Sequence, residues 1–227
     1  MKVKIISYSQ PAKEILEEGL KDAQELIAFC ARVSNPSNQF NTKTSAQLVK
    51  YLVNHKHWSP LEMVSVCLEI ETTRDIARQM LRHRSFAFQE FSQRYADPTK
   101  DLSFVTREAR LQDTQNRQNS VALSTNPAHL ALARAWEEKQ KAVIALSNET
   151  YQWAIQQGIA KEQARSVLPE GLTVSRLYMT GSLRSWVHYI ELRSGHGTQK
   201  EHIEVAKACA EVIKNIFPLI ADFVAKE

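Results

Sequence analysis

Between Arg74 and Arg94 the chain carries five arginines, at positions 74, 78, 82, 84 and 94, no lysine, and only Asp75 and Glu90 as acids. The densest part runs Arg82-His83-Arg84-Ser85-Phe86-Ala87-Phe88-Gln89-Glu90-Phe91-Ser92-Gln93-Arg94-Tyr95. Arginine meets phosphate through a planar, bidentate fork, whereas lysine offers a point charge, so an arginine-only stretch points to geometric recognition of an anion. The arginines alone leave two readings open: a phosphate-bearing small molecule, or a basic turn that is solvated or lies on nucleic acid. If the backbone runs extended beyond a helix ending near Leu81, residues two apart share a face. Arg82 and Arg84 then point together with His83 turned away, and Glu90, Ser92 and Arg94 share another face. Gln79 lies one helical turn ahead of Arg82 on nearly the same side.

The other chemistry-bearing types are sparse. His55 and His57 are two apart, but no Cys, Asp or third His stands at ligand spacing, so no metal site is expected. Cys30, Cys67 and Cys209 are far apart among apolar neighbours, which fits buried thiols and neither a disulfide nor zinc. Ser92 has no general base placed beside it by sequence, and a hydroxyl near an anion is a ligand before it is a nucleophile. Six glycines, with no Gly-x-Gly-x-x-Gly and no P-loop, exclude the usual Rossmann and P-loop phosphate cradles.

Arg82-His83-Arg84, followed by Gln89-Glu90, Ser92 and Arg94, resembles the signature of the flavin-dependent thymidylate synthases, R-H-R-x-x-S and then x-[N/Q]-E-x-S-x-R. The chain departs from it at Ala87, where Ser is usual, and has Gln89 where Asn is common. The likeness extends from about Ala31 to about Glu204. It implies synthesis of dTMP from dUMP, with methylenetetrahydrofolate supplying the carbon and FAD, reduced by NADPH, supplying the hydride. Carried over residue by residue, it implies that FAD is held by Ser59, Arg82, His83, Arg84, Glu90, Ser182, Leu183, Arg184 and His188. It assigns dUMP to Gln79, Arg82, Glu90, Phe91, Ser92, Gln93, Arg94, Arg165 and Arg193, and sets His57 near the folate or nicotinamide entrance. Arg193 is the implied catalytic residue, polarising the pyrimidine so that C5 becomes nucleophilic. Other thymidylate synthases reach that end with a Cys attacking C6, but the three cysteines here have no basic neighbours to make a thiolate. The resemblance also implies a homotetramer with active sites shared between subunits. Arg184 and Arg193, nine residues apart on one predicted helix, fall on opposite faces and roughly 13 Å apart along its axis, yet one is assigned to flavin and the other to pyrimidine.

Two competing readings are an RNA-binding domain using Phe86, Phe88 and Phe91 as stacking platforms, and a flavoprotein of the same fold acting on another pyrimidine nucleotide. A net charge of +4 fits several phosphorylated ligands as well as it fits nucleic acid.

The elements that must position these residues follow from periodicity. Val3 to Ser7 reads as a strand, and Lys13 to Arg32 as one amphipathic helix. Thr44 or Ser45 caps a second helix to about Asn54. Glu62 to Thr72 alternates as a half-buried strand, with Val64, Val66, Leu68 and Ile70 facing the core, and a helix from Asp75 to about Leu81 leads into the arginines. Positions 97 to 127 are polar and read as a long, partly mobile surface excursion. A helix from Ala128 to about Gln157 carries Leu132, Trp136, Val143 and Leu146 as a stripe expected to be core. Lys161 to Leu168 forms a short helix, Leu172 to Met179 a strand, and Ser182 caps a helix to Arg193. Thr198 then caps a last helix from Gln199 to about Val224. Helices outnumber strands without regular alternation, so the expected class is α+β, an antiparallel-dominated sheet packed with helices, in one domain over 1–227. At 227 residues and 43% hydrophobic content the chain can bury a substantial core. No run is apolar enough to span a bilayer, and the N-terminus reads as a strand instead of a signal peptide, so no membrane partner and a cytoplasmic location are expected.

Overall fold

The computed structural model describes residues 1–225. Its centre is a four-stranded antiparallel sheet of β1 (Lys2–Tyr8), β2 (Ser65–Thr73), β6 (Val174–Ser182) and β3 (Ala87–Glu90), in the order β1-β2-β6-β3. Alternation in β2 does what period-2 patterning requires. Val66, Leu68 and Ile70 point inward and are fully buried, as are their β6 neighbours Leu177 and Met179. The outward residues pair instead, Lys4 with Glu69 at 2.9 Å and Arg176 with Glu71 at 2.6 Å. Onto the inner face pack α8 (Leu183–Arg193) and α9 (Lys200–Ile213), with α2 (Ala23–Ala31) and α3 (Ser45–Asn54) completing the core. This is the expected α+β class. The Trp186 indole N–H donates to the Val66 carbonyl at 3.0 Å, fixing α8 against the sheet.

Four expectations are corrected. The helix foreseen over Lys13 to Arg32 is two, α1 (Lys13–Glu17) and α2, broken at Gly19 with φ of +107°. Asp22 restarts the helix by accepting from Glu25 N at 2.8 Å, and Glu25 reaches back to Lys21 N at 2.6 Å. The last helix stops at Ile213, because Pro218 holds Phe217 extended and the chain resumes only as a 3₁₀ turn, Pro218–Phe223. Its N-cap is Gln199, not Thr198. The excursion after Asp97 carries a short helix, α5 (Pro98–Asp101), and a hairpin of β4 (Arg110–Gln112) and β5 (Ser120–Ala122).

The fourth correction concerns α6 (Pro127–Gln156), whose ends match the expectation while its facing does not. Leu132, Trp136, Val143 and Leu146 are 45%, 45%, 47% and 65% exposed, so the apolar stripe lies outside this chain's core. The helix docks through polar and aromatic groups. Buried Gln140 accepts from Arg107 N at 2.8 Å and donates to Arg107 O at 2.9 Å, and Tyr151 and Ala154 pack with Ala164 and Leu168 in a satellite cluster. Arg107 in turn pairs with Asp75 at 2.6 Å on α4 (Arg74–Met80), which ties the excursion to the helix leading into the arginines.

Candidate active site

Beyond α4 the backbone is not extended, as the side-chain alternation had suggested. It turns, with His83 N donating to Met80 O at 3.0 Å and Phe86 N to His83 O at 3.3 Å, and becomes a strand only at Ala87. The segregation of side chains survives this change of backbone. Arg82 and Arg84 are exposed and make no side-chain hydrogen bond or ion pair among the described residues. His83 turns inward, edge-on to the Tyr189 ring at 5.0 Å, and its Nε2 accepts from Arg193 Nε at 3.0 Å. That bond requires a bare Nε2, so the His83 proton sits on Nδ1. Burial first, and then the Arg193 charge, push the imidazole down to about 4. Arg193 therefore faces a neutral ring instead of a carboxylate, and its two terminal nitrogens make no bond to the described residues.

Of the five arginines, three are engaged by carboxylates, and two of these share the same pair of acids. Arg74, 6% exposed, donates to Glu90 and Glu170 at 3.4 Å each, and Arg78 donates to Glu90 at 3.2 Å. Ser175 adds a third donor to Glu90 at 2.8 Å. These pairs neutralise part of what the sequence presented as a continuous anion-binding run, and they hold Glu90 in place at the end of β3. The face-sharing expected for Glu90, Ser92 and Arg94 also fails, because the strand ends at Glu90 and Tyr95 N turns back to Ser92 O at 3.1 Å. Phe91 is half-buried and Gln93 is buried, with its Nε2 lacking a partner. Arg94 pairs with Glu162 at 3.2 Å, and Arg165, one turn on from Glu162, donates to its carbonyl at 3.3 Å.

A third group lies at the start of α8. Ser182 Oγ accepts from Ser185 N at 3.3 Å as the N-cap, and Ser182, Arg184 and His188 line a cavity of about 510 Å³ with Glu62, Ser85 and Ser185. Arg184 is ion-paired to Glu62, which the 3₁₀ turn Ser59–Met63 carries. His188 stands edge-on to Trp58 at 5.0 Å, next to exposed Ser59. The Leu183 side chain is fully buried in the core and its N–H donates to Val64 O at 2.8 Å. His57 is exposed, 6.2 Å from His55, whose ring stacks on Tyr51 at 3.9 Å.

The aromatic platform of the RNA-binding reading is not displayed. Phe86 is buried against Trp186 at 4.8 Å, and half-buried Phe88 packs on the core. Nor is a thiolate provided, since burial raises Cys30, Cys67 and most strongly the fully enclosed Cys209.

Three residues beside Arg193 escaped the sequence reading. Tyr189, His202 and Gln199 join Gln79 in a polar cluster, with Tyr189 and His202 buried and the two glutamines half-buried. The signal was a lone histidine on the apolar stripe His202, Val205, Ala206, Cys209, Ile213 of α9, all of them buried.

With the arginine-histidine turn, the neutral His83 and the arginine at the end of α8 in place, the comparisons can be read. Residues 15–219 match the family described as thymidylate synthase complementing protein. The chain belongs to that family. Members similar to it include a probable flavin-dependent thymidylate synthase of Paramecium bursaria Chlorella virus 1, 49% identical with 97% of each chain covered. Another is a flavin-dependent thymidylate synthase of Synechocystis, 46% identical with 97% of this chain and 98% of that one covered. The fold is shared with a crystal structure of the UMP/dUMP methylase PolB from Streptomyces cacaoi, TM-score 0.78 and 22% identity, over 98% of this chain and 93% of the other. In this chain the signature is thus built on a turn and a short edge strand, with no glycine-rich loop.

Proposed function

We propose that the protein converts dUMP to dTMP, taking the carbon from methylenetetrahydrofolate and the reducing equivalents from NADPH through bound FAD. The observation that carries this reading is Arg193, a permanent cation whose neighbour is a neutral imidazole and whose terminal N–H groups are uncommitted. Such a fork can stabilise negative charge developing on a pyrimidine ring, as a preorganised donor pair does for an oxyanion. A carboxylate partner would have cancelled that field. The absence of any activated thiol removes the alternative of Cys attack at C6.

The residues suit a flavin dinucleotide. Arg82 and Arg84 are left without acid partners on an exposed turn, although Arg74, Arg78, Arg94, Arg107 and Arg184 are all ion-paired, which is the donor chemistry a pyrophosphate needs. In this reading His83, Ser59, Ser182, Arg184 and His188 orient the cofactor, with His57 at the entrance. When bound, the reduced flavin supplies the hydride that completes the methyl group. Gln79, Arg82, Phe91, Ser92, Gln93, Arg94 and Arg165 hold the nucleotide, and Glu90, paired with Arg74 and Arg78, keeps the strand end in register.

We further propose that each site is completed between subunits of a homotetramer. Arg184 paired to Glu62 and Arg193 bonded to His83 belong to opposite ends of one helix, and α6 leaves an apolar stripe uncovered, which favours association. Mixing inactive Arg184→Ala and Arg193→Ala proteins under verified subunit exchange should restore partial activity, whereas no recovery refutes sharing. The primary test is direct: the purified protein should be yellow and should form dTMP from dUMP, methylenetetrahydrofolate and NADPH. Turnover of UMP in place of dUMP would move the reading to another pyrimidine nucleotide.

A further inference from the structure

Gln79 is held at both ends of its amide. Its Oε1 lies 3.1 Å from His202 Nδ1, and its Nε2 donates to Gln199 Oε1 at 2.9 Å. Gln199 Nε2 donates to Glu201 Oε2 at 2.9 Å, and the other Glu201 oxygen receives Arg110 Nη2 at 2.5 Å. At the opposite end the Tyr189 hydroxyl lies 3.1 Å from His202 Nε2. His202 is 0% and Tyr189 1% exposed.

The polarity of this chain is fixed from one end. A carboxylate held by an arginine can only accept, and Arg110 with the hydrogen bonds to Glu201 keeps that carboxyl below its ordinary range. Gln199 must therefore turn its NH₂ to Glu201 and its carbonyl to Gln79. Gln79 must turn its NH₂ to Gln199 and its carbonyl to His202. His202 must carry its proton on Nδ1 and leave Nε2 bare for the Tyr189 O–H. Each step follows from the donor and acceptor capacities of the groups. The buried histidine is neutral, as the relay requires: desolvation first, and then the Arg193 charge, bring it down to about 3.

We infer that His202 and Tyr189 are positioning residues that lock the Gln79 amide in one of its two orientations, and that this lock selects a uracil over a cytosine edge. The inference rests on the proposed reading, in which Gln79 is one of the residues that hold dUMP, and adds that its amide is the group that meets the pyrimidine edge. After its two internal bonds Gln79 keeps one N–H and one carbonyl lone pair. Uracil offers an acceptor at O4 beside a donor at N3, while cytosine offers a donor at N4 beside an acceptor at N3. A free amide serves either base by rotating 180°. A locked amide meets cytosine donor to donor and acceptor to acceptor, which leaves polar groups unpaired in a closed site.

The test measures dUMP and dCMP dissociation constants by calorimetry on the flavin-loaded protein, alongside flavin content and melting temperature. In His202→Leu the ratio of dCMP to dUMP constants should fall about tenfold or more, in line with the loss of a buried hydrogen-bond partner. His202→Asn, whose amide N–H replaces Nδ1–H, should restore most of the ratio. A merely structural role would lower stability and flavin content and leave the ratio alone. An unchanged ratio in folded, flavin-bound His202→Leu overturns the inference. Should that variant fail to fold, Tyr189→Phe decides: a ratio lowered about threefold supports the lock, and an unchanged one refutes it. Wild-type protein that binds dUMP with no preference over dCMP overturns the lock alone, whereas protein that binds neither nucleotide overturns the functional reading with it.

Discussion

Acidification from pH 7.5 to 5.5 should destabilise the fold through two histidines. His83 and His202 have an ordinary value of 6.5 and are held down to about 4 and about 3. Both folded values lie below the unfolded one, so the stability linked to them is fully present above pH 6.5 and is lost as pH falls toward 4 and 3. Through that window the unfolded chain binds two protons that the folded chain refuses, a slope of about 2 × 1.36, or roughly 2.7 kcal/mol per pH unit. One unit below 6.5 that is at most about 2.7 kcal/mol, and solvent reaching half-buried His83 reduces the expectation to about 2 kcal/mol. The carboxylates with lowered values, Asp97 and Asp113 from 3.8 and Glu69 and Glu201 from 4.5, change little above pH 5. The assay is urea unfolding at fixed protein concentration at pH 7.5, 6.5 and 5.5. His202→Asn removes one titrating group and should roughly halve the slope. Equal unfolding free energies at pH 7.5 and 5.5 would refute the reasoning, because they would mean that both rings already carry protons in the fold or that water reaches them freely.

Arg193→Lys should lower kcat by roughly 10²-fold despite conserving charge, since lysine has neither the planar fork nor the Nε–H that holds His83; parent-like turnover at saturating dUMP would count against the assigned role. Gly181→Ala should cost about 1–3 kcal/mol of unfolding free energy by overpacking, because its Cβ would stand 2.5 Å from the Phe86 ring in the middle of the core; unaltered urea unfolding would show that Phe86 can move aside. Val143→Lys with Leu146→Lys should leave the far-ultraviolet circular dichroism intact and reduce the mass seen by light scattering, as the stripe they interrupt is already exposed on the single chain; an unaltered mass would remove α6 from the interface.

What could be read in the sequence, and what could not, divides along one physical line. Period-2 alternation in β2 and the Ser182 cap of α8 are local, and both appear, although Glu62 and Met63, read into the strand, belong instead to the 3₁₀ turn Ser59–Met63 because Pro60 favours a turn there. The α6 periodicity was equally clear, yet a helical period says only that one face is apolar, not which molecule that face meets. The same limit governs the site. Types and spacing singled out the Arg82-His83-Arg84 turn, and the family resemblance alone pointed to Arg193, but charge counting along the chain could not show that Arg74 and Arg78 are bound to Glu90 and Glu170, because Glu170 lies 96 residues from Arg74. Nor could it bring together Tyr189, Gln79 and His202, drawn from three helices, whose donor order depends on a carboxylate beyond Gln199. Arginines that a linear reading pools into one anion site are thus sorted by the fold into two that secure a strand, one paired with Glu162 and two left free on the turn. It is the second pair, with Arg193 beside a neutral histidine, that gives the molecule uncommitted positive charge to use on a ligand.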